Sequence, residues 1–407
     1  MTTKPVLALV MMIKNEAANI EKSLECLPFV DEVFIGDTGS TDNTVRIVKK
    51  KCKKKGKTLH LKNFEWKEYG PTRNDILEWC NKESKCNYFL LMDGNDELRN
   101  GDDLRKFCAK NEYTKENVFL LKQEWWDGYR IEEYFNFRLI RRNSGWHYED
   151  DRHEYLCGSN NERASTSSVI VPSGSLYQDR RADNAKTALR FASDREYFLR
   201  VCSNDKKTPR RVFYLAQSCE CIGNWEEAIK YYEERSTMKD YEEEVYISYY
   251  RSGKLAQILA DEALMGPCGQ DGKSEKVCET NEEYVKWMEI SSKKFHKAFH
   301  HSARAEPLYW LAMQTKDTNV LEAYMYIKMA CDVSMPVTSF LIVEKMMYNV
   351  LRWEQLMLIA YFAYHYLEGE AKNDAKRACE KSCNILFNVV TDKERIIKNL
   401  QHVQLLK

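Results

Sequence analysis

Val33-Phe34-Ile35-Gly36-Asp37-Thr38-Gly39-Ser40-Thr41-Asp42-Asn43-Thr44 is a short, unbroken apolar run that ends in a carboxylate, a glycine and a row of hydroxyls. After it, Val45, Ile47 and Val48 begin a helical pattern that Gly56 is placed to close. The stretch therefore reads as a strand, a polar loop and a helix. Upstream, Val6 to Met12 is a second apolar run, followed by Asn15-Glu16 and by Ile20, Leu24 and Leu27 at helical spacing. Downstream, Thr58 to Leu61 offers a strand and Arg73 to Cys80 a helix. A further strand, Tyr88 to Met92, stops at Asp93-Gly94-Asn95-Asp96-Glu97. Apolar runs without polar alternation indicate strands covered on both faces, as in a parallel sheet. Ligands of such sheets bind beyond the carboxyl ends of the strands, where these polar clusters fall.

A chain of 407 residues exceeds one ordinary core, and 43% hydrophobic with 30% charged residues is globular composition. Lys plus Arg and Asp plus Glu both number 62, so no net field holds the chain on nucleic acid or an anionic membrane. The basic stretch Lys49 to Lys57 falls where a helix ends, and cations there favour the helix dipole. The 14 cysteines lack paired C-x-x-C spacing and read as reduced thiols rather than a disulfide framework. Met1 to Ile13 carries Lys4 and Pro5 early and is too short to span a bilayer, so it reads as a buried first strand. The expected location is the cytoplasm, or the host cytoplasm if the source is viral.

Three clusters carry chemistry. In the first, Ser40 or Thr41 is placed to cap the following helix and Gly39 to permit a tight turn. Capping has no need of Asp37, and a carboxylate at the end of a strand is well placed for a base or a ribose. In the second, Asp93-Gly94-Asn95-Asp96-Glu97, neighbouring acidic groups repel unless something neutralises them. A hard dication bridging carboxylate to diphosphate would do so, and in extended chain Asp93 and Asn95 share a face. An Asx-rich turn bent at Gly94 is the structural alternative. The third runs from Phe137 to Arg142 as an alternating strand and from Gly145 to Leu156 as a loop with aromatics, His147, His153 and several carboxylates. His153 or Glu154 would serve there as metal ligand or general base.

Met12-Ile13-Lys14-Asn15-Glu16, Val30-Asp31-Glu32-Val33, Asp37 to Thr44, Thr72-Arg73-Asn74 and Leu91-Met92-Asp93, in that order and spacing, resemble family 2 of the inverting, GT-A-fold glycosyltransferases. The resemblance covers most of residues 5 to 160. It implies a nucleotide-sugar donor, with a UDP-sugar favoured, bound around Asn15, Glu16, Asp37, Gly39, Ser40, Asp42, Arg73 and Asn74. It implies a cation, Mn²⁺ or Mg²⁺, on a D-x-D motif that falls on Asp93-Gly94-Asn95. The third position is Asn95 here, which lowers the charge on offer or passes the role to Asp96. The stretch from Trp146 to Tyr155 is similar to the loop with which the helical-repeat subgroup completes its site through His153 and Glu154. Glu154 and Asp151 are the candidate bases, with His153 beside them as catalytic residue or metal ligand.

From Lys186 onward the pattern is helical. Phe213 to Tyr232 reads as two amphipathic helices meeting at Gly223-Asn224, with small Ala216 and Ala228 where the helices approach; this resembles a tetratricopeptide repeat. A weaker copy runs through Val245 to Leu255 with Gly253 at its turn, and a third begins at Arg304 with a second helix over Val320 to Ala330. Gly266 to Asn281 reads as a surface insertion. The expected organisation is a GT-A nucleotide-sugar-binding α/β domain over 1–180 and an all-α helical-repeat domain over 181–407. The repeats would take a glycan, peptide or protein acceptor or a second copy of the chain, and no transmembrane segment is expected. The rival to a transferase is a degenerate one serving as a binding or assembly platform. A nucleotidyltransferase is disfavoured because a Gly-rich, basic phosphate loop near the first strand is missing.

Overall fold

In the computed structural model the described residues are 6–111, 115–129, 131–158, 169–181, 184–204, 206–265, 282–336, 341 and 343–406. The chain divides into two compact units, 1–186 and 187–407.

The first unit is built on one sheet. Strands β1 (Leu7–Ile13), β2 (Glu32–Asp37), β3 (Thr58–Asn63) and β4 (Tyr88–Asp93) fall where strands are expected. Between them stand α1 (Ile20–Ser23), which passes into a 3-10 turn over Leu24–Phe29, α2 (Thr44–Lys54) and α3 (Tyr69–Glu83). Pro28 removes a backbone donor inside that turn, which explains why the Ile20–Leu27 pattern gives no long α-helix. There follow β5 (Glu97–Arg99), α4 (Gly101–Lys110), β6 (Val118–Trp126), β7 (Ile131–Arg141), the small hairpin β8 (His147–Glu149) and β9 (Tyr155–Cys157), and β10 (Val169–Asp179).

The main sheet has the order β3-β2-β1-β4-β7-β6-β10-β5. Its first four strands are parallel; β1, β2 and β4 are buried almost throughout, as their continuous apolar runs require, while β3 is an edge strand with no fully buried residue. The parallel expectation stops there: β7 pairs antiparallel to both β4 and β6, and β5 antiparallel to β10. Leu7, Leu9, Met11, Ile35 and Leu90 pack one face, and Ala8, Val10, Phe34, Phe89 and Leu91 the other.

The second unit is all helical. A long helix, α5 (Asn184–Cys202), leads into it, and α6 (Pro209–Cys221) and α7 (Trp225–Thr237) form the hairpin read from the sequence. Gly223 turns it with φ 82°, and Ala216 and Ala228 are fully buried. α8 (Glu242–Met265) corrects the second copy: Gly253 lies inside an unbroken helix, not at a turn. A Cβ at Gly253 would stand 2.8 Å from the Phe295 ring of α9 (Glu282–His301), so the glycine allows close helix approach. α10 (Ala305–Thr315) and α11 (Val320–Asp332) form the third pair, and α12 (Arg352–Tyr364), α13 (Gly369–Val389) and α14 (Lys393–Gln404) complete the unit. The insertion read at 266–281 lies outside the described residues. Among the described residues the cysteines are free thiols, and no helix is long and apolar enough to cross a membrane.

Candidate active site

The register of the parallel strands brings two of the clusters together. Asp37 at the end of β2 stands opposite Ile13, and Asp93 at the end of β4 opposite Met12, so both carboxylates flank the carboxyl end of β1.

The loop after β1 closes on the loop after β2 through side chains. Asn15 has φ 54°, which an asparagine tolerates, and its Oδ1 accepts from the backbone N–H of Thr41 at 2.7 Å and of Asp42 at 3.3 Å. The Glu16 N–H donates to Thr44 Oγ1 at 2.7 Å and the Ala17 N–H to Asp42 Oδ2 at 3.1 Å. Neither Ser40 nor Thr41 caps α2. Asp42 receives the Thr44 N–H and hydroxyl instead, and Ser40 donates its hydroxyl to Asp37 at 2.6 Å and its N–H at 3.1 Å. Asp37 is 4% exposed and thus spoken for within its own loop, while Gly39, at φ 98°, makes the turn. These donor-site candidates gather in one place, where they chiefly hold each other.

The second gathering centres on Asp93. Arg73 of α3 donates from Nη2 to Asp93 Oδ1 at 2.7 Å and from Nε to Glu154 Oε1 at 2.8 Å. Arg138 of β7 donates from Nη2 to Asp93 Oδ2 at 2.8 Å. Burial opposes the charge on Asp93, but Arg138 and Arg73 outweigh it and hold the carboxyl well below the usual carboxylate range. Burial likewise works against both guanidiniums, and Asp93, with Asp96 beside Arg138 and Glu154 beside Arg73, keeps them firmly charged. The Tyr148 ring lies 5.5 Å from the Arg73 guanidinium.

Asp96 takes a different role from the one its neighbours suggest. It is fully buried; its Oδ2 accepts the Asp93 N–H at 2.8 Å, and its Oδ1 accepts from Gln123 at 3.1 Å and Gln178 at 2.8 Å. Burial, the largest influence, pushes its carboxyl up. Asn95 accepts from Gln178 at 3.3 Å. The turn packs on Glu16, whose Cγ lies 2.5 Å from where a Cβ on Gly94 would stand, and Ser23 donates to the Gly94 carbonyl at 2.8 Å.

The third cluster docks onto α3. Asn74 donates to the Tyr148 carbonyl at 2.8 Å and accepts the Tyr148 N–H at 2.7 Å, which makes it a clip for this loop. The Gly70 N–H reaches the Asp151 carbonyl at 3.1 Å, and Arg152 donates to Glu68 at 3.0 Å. His153 stands at φ 51°, half-buried, between this anchor and Glu154. Glu154 is thereby brought to Arg73.

Mn²⁺ or Mg²⁺ seeks several oxygen ligands, carboxylates first. Among the described residues no group of three or more His, Cys, Asp or Glu converges for one. Of the expected ligands, Asp93 gives both oxygens to arginines, Asp96 faces Gln123 and Gln178, and Asn95 is neutral. His153 completes no such group with them. These residues do not fit a divalent cation.

Arg138, Tyr148 and Gln178 escape a reading of the sequence as site residues. Arg138 had one signal, a charge directly before the Leu139-Ile140 pair that the core buries.

Arg73, Asp93, Arg138 and Glu154 thus gather near the carboxyl ends of the parallel strands, where open α/β sheets take their ligands. Residues 8–154 match the family model described as Glycosyl transferase family 2, which spans all four of them. Among solved structures the chain is similar to S. aureus TarS 1-349 in complex with UDP-GlcNAc, at 14% identity over 73% of this chain and 92% of that one, with a TM-score of 0.36. It is also similar to the mannosyltransferase PcManGT from Pyrobaculum calidifontis in complex with GDP-Man and Mn²⁺, at 13% identity over 74% and 89%, with a TM-score of 0.35. No curated protein matches the chain.

Proposed function

We propose that this chain transfers a sugar, with inversion, from a nucleoside diphosphate donor to a hydroxyl or other nucleophile on a glycan, protein or small molecule. The observation that carries the reading is the Glu154–Arg73–Asp93–Arg138 chain of ion pairs inside a region matching a glycosyl transferase family. Glu154 is the base. One of its oxygens is fixed by Arg73, and the other takes no hydrogen bond among the described residues, so it is positioned to accept the proton of an attacking hydroxyl. Asp151 gives its backbone to the anchor on Gly70 and is the second candidate, with His153 between them. The loops at Asn15, Glu16, Asp37, Gly39, Ser40 and Asp42 form the nucleoside side of the donor site, with a UDP-sugar the first donor to try.

Residues 181–407 are proposed as the acceptor-binding part, a set of tetratricopeptide-like pairs. Exposed Leu321, Met325 and Met329 recur every fourth residue along α11 and offer an apolar stripe for such a partner.

The test is turnover of a nucleotide-sugar panel by the full chain and by Glu154→Gln. Transfer or donor hydrolysis lost in the variant, with donor binding retained, supports the reading. Binding of no donor at all would sink it.

A further inference from the structure

Resting on the transferase reading, we propose that Arg73 and Arg138, rather than a divalent cation, neutralise the donor's diphosphate, so that the reaction runs without metal.

The positive charge that a departing diphosphate needs already stands at the end of β4. The two guanidiniums lie on opposite oxygens of Asp93, at 2.7 and 2.8 Å. Their side chains are only 15% and 13% exposed, so they are held where water screens them little. A dication drawn to Asp93 would compete with both guanidiniums for its oxygens and add two more positive charges beside them where water screens little. The usual compensation, a second carboxylate, is missing. Position 95 is an amide engaged with Gln178, and Asp96 spends both oxygens on the Asp93 N–H, Gln123 and Gln178.

Arg138 also carries the mark of an absent partner. Its Nε is buried and has no acceptor among the described residues. A buried N–H without an acceptor is costly, and a guanidinium fork matches phosphate geometry. With Nη2 on Asp93, Arg138 keeps Nε for a diphosphate oxygen. Asp93 in this account is a positioning residue that aims the two cations. In the transfer, the nucleophile's oxygen forms the new bond to the anomeric carbon as the bond to the diphosphate oxygen breaks. The proton passes to Glu154, and the added negative charge on the diphosphate rests on the two arginines.

The experiment measures binding of UDP, GDP, ADP, CDP and dTDP by titration calorimetry, and turnover of the matching nucleotide-sugars. Both are read after exhaustive dialysis against EDTA and again with Mn²⁺ or Mg²⁺. The full chain is compared with Arg138→Met and Arg138→Lys. The expected result is that one nucleoside diphosphate binds and its sugar turns over equally well with and without metal, to within about threefold. Both variants should weaken binding by about tenfold or more. The lysine variant keeps the charge that pairs with Asp93, so its loss is read as fork geometry even where the methionine variant fails to fold. Binding or turnover that appears only with metal overturns the proposal and leaves the transferase reading intact. So does full affinity in a folded Arg138→Lys. Metal-free, Arg138-dependent binding with no transfer to any acceptor or to water, whether or not metal is added, removes the transferase reading and with it the metal-free reaction, leaving the two arginines as a diphosphate-binding pair only. Absence of binding under either condition removes both.

Discussion

Asp93 and Asp96 sit three residues apart in one acidic turn, and their surroundings drive them to opposite behaviour. Asp93 lies between two guanidiniums, and its folded carboxyl is held below its unfolded range. Its contribution to stability is therefore fully present above about pH 4 and is lost as pH falls through the depressed folded value. Asp93→Asn leaves Arg73 and Arg138 without that counter-charge. Its side chain is 27% exposed, so the expected cost lies toward the lower end of the about 3–5 kcal/mol typical of breaking a buried pair. Urea unfolding at pH 7 and at pH 3 would measure it, and the gap between wild type and variant should narrow at the lower pH. A gap independent of pH would contradict the ion-pair account. For Asp96 the sign reverses, because burial raises its folded carboxyl and the buried charge becomes a growing burden as pH rises through that raised value. Asp96→Asn removes that burden but sets an NH₂ against the Gln178 amide or the Asp93 N–H even after Gln123 turns over, so it is expected to cost about 1–3 kcal/mol, less at pH 7 than at pH 3. If both carboxylates held one cation, the two substitutions would behave alike.

At the scale of elements, the proposed base is set by the joint between α3 and the 147–157 hairpin. Nothing local in the hairpin directs Glu154 toward Arg73; the anchor on α3 does. A Cβ at Gly70 would stand 2.0 Å from the Asp150 carbonyl, and Asn74 supplies both polar partners of the Tyr148 backbone. Gly70→Ala and Asn74→Ala are thus expected to shift the loop. Each should cut kcat by about tenfold or more, because misplacing a positioned group by an ångström is costly, while donor affinity stays within a few fold. Donor hydrolysis and calorimetric donor binding, side by side, check this; equal losses in both would mean that the joint shapes the donor site itself. The same joint marks how far the sequence was readable. β1, β2 and β4 were legible because a buried parallel strand needs a continuous apolar run, a local property. The clip that Asn74 makes and the close approach that Gly253 allows are not legible, because their partners, Tyr148 and Phe295, lie far along the chain. Arg138 was hidden for that reason too, since its partner Asp93 is 45 residues away.

At the scale of the whole molecule, each unit has hydrophobic clusters of its own among the described residues, around Leu9 and Phe34 in the first and around Phe213 and Phe295 in the second. Each core is served by its own buried polar network. In the helical unit, Arg235 is fully buried and donates to Glu244 at 3.0 Å, to the Met238 carbonyl and to the Tyr241 carbonyl; Arg210 reaches the other Glu244 oxygen at 3.1 Å. Glu244→Ala therefore leaves a buried guanidinium held by carbonyls alone, for an expected loss of about 3–5 kcal/mol. The units' own cores imply separate cooperative transitions, so scanning calorimetry should show two, of which this substitution lowers one by several degrees. Nucleoside diphosphate binding, measured below that transition, should be unchanged, because none of the donor-site groups shares a partner with Glu244. A single transition that moved as a whole would show instead that the two cores melt as one.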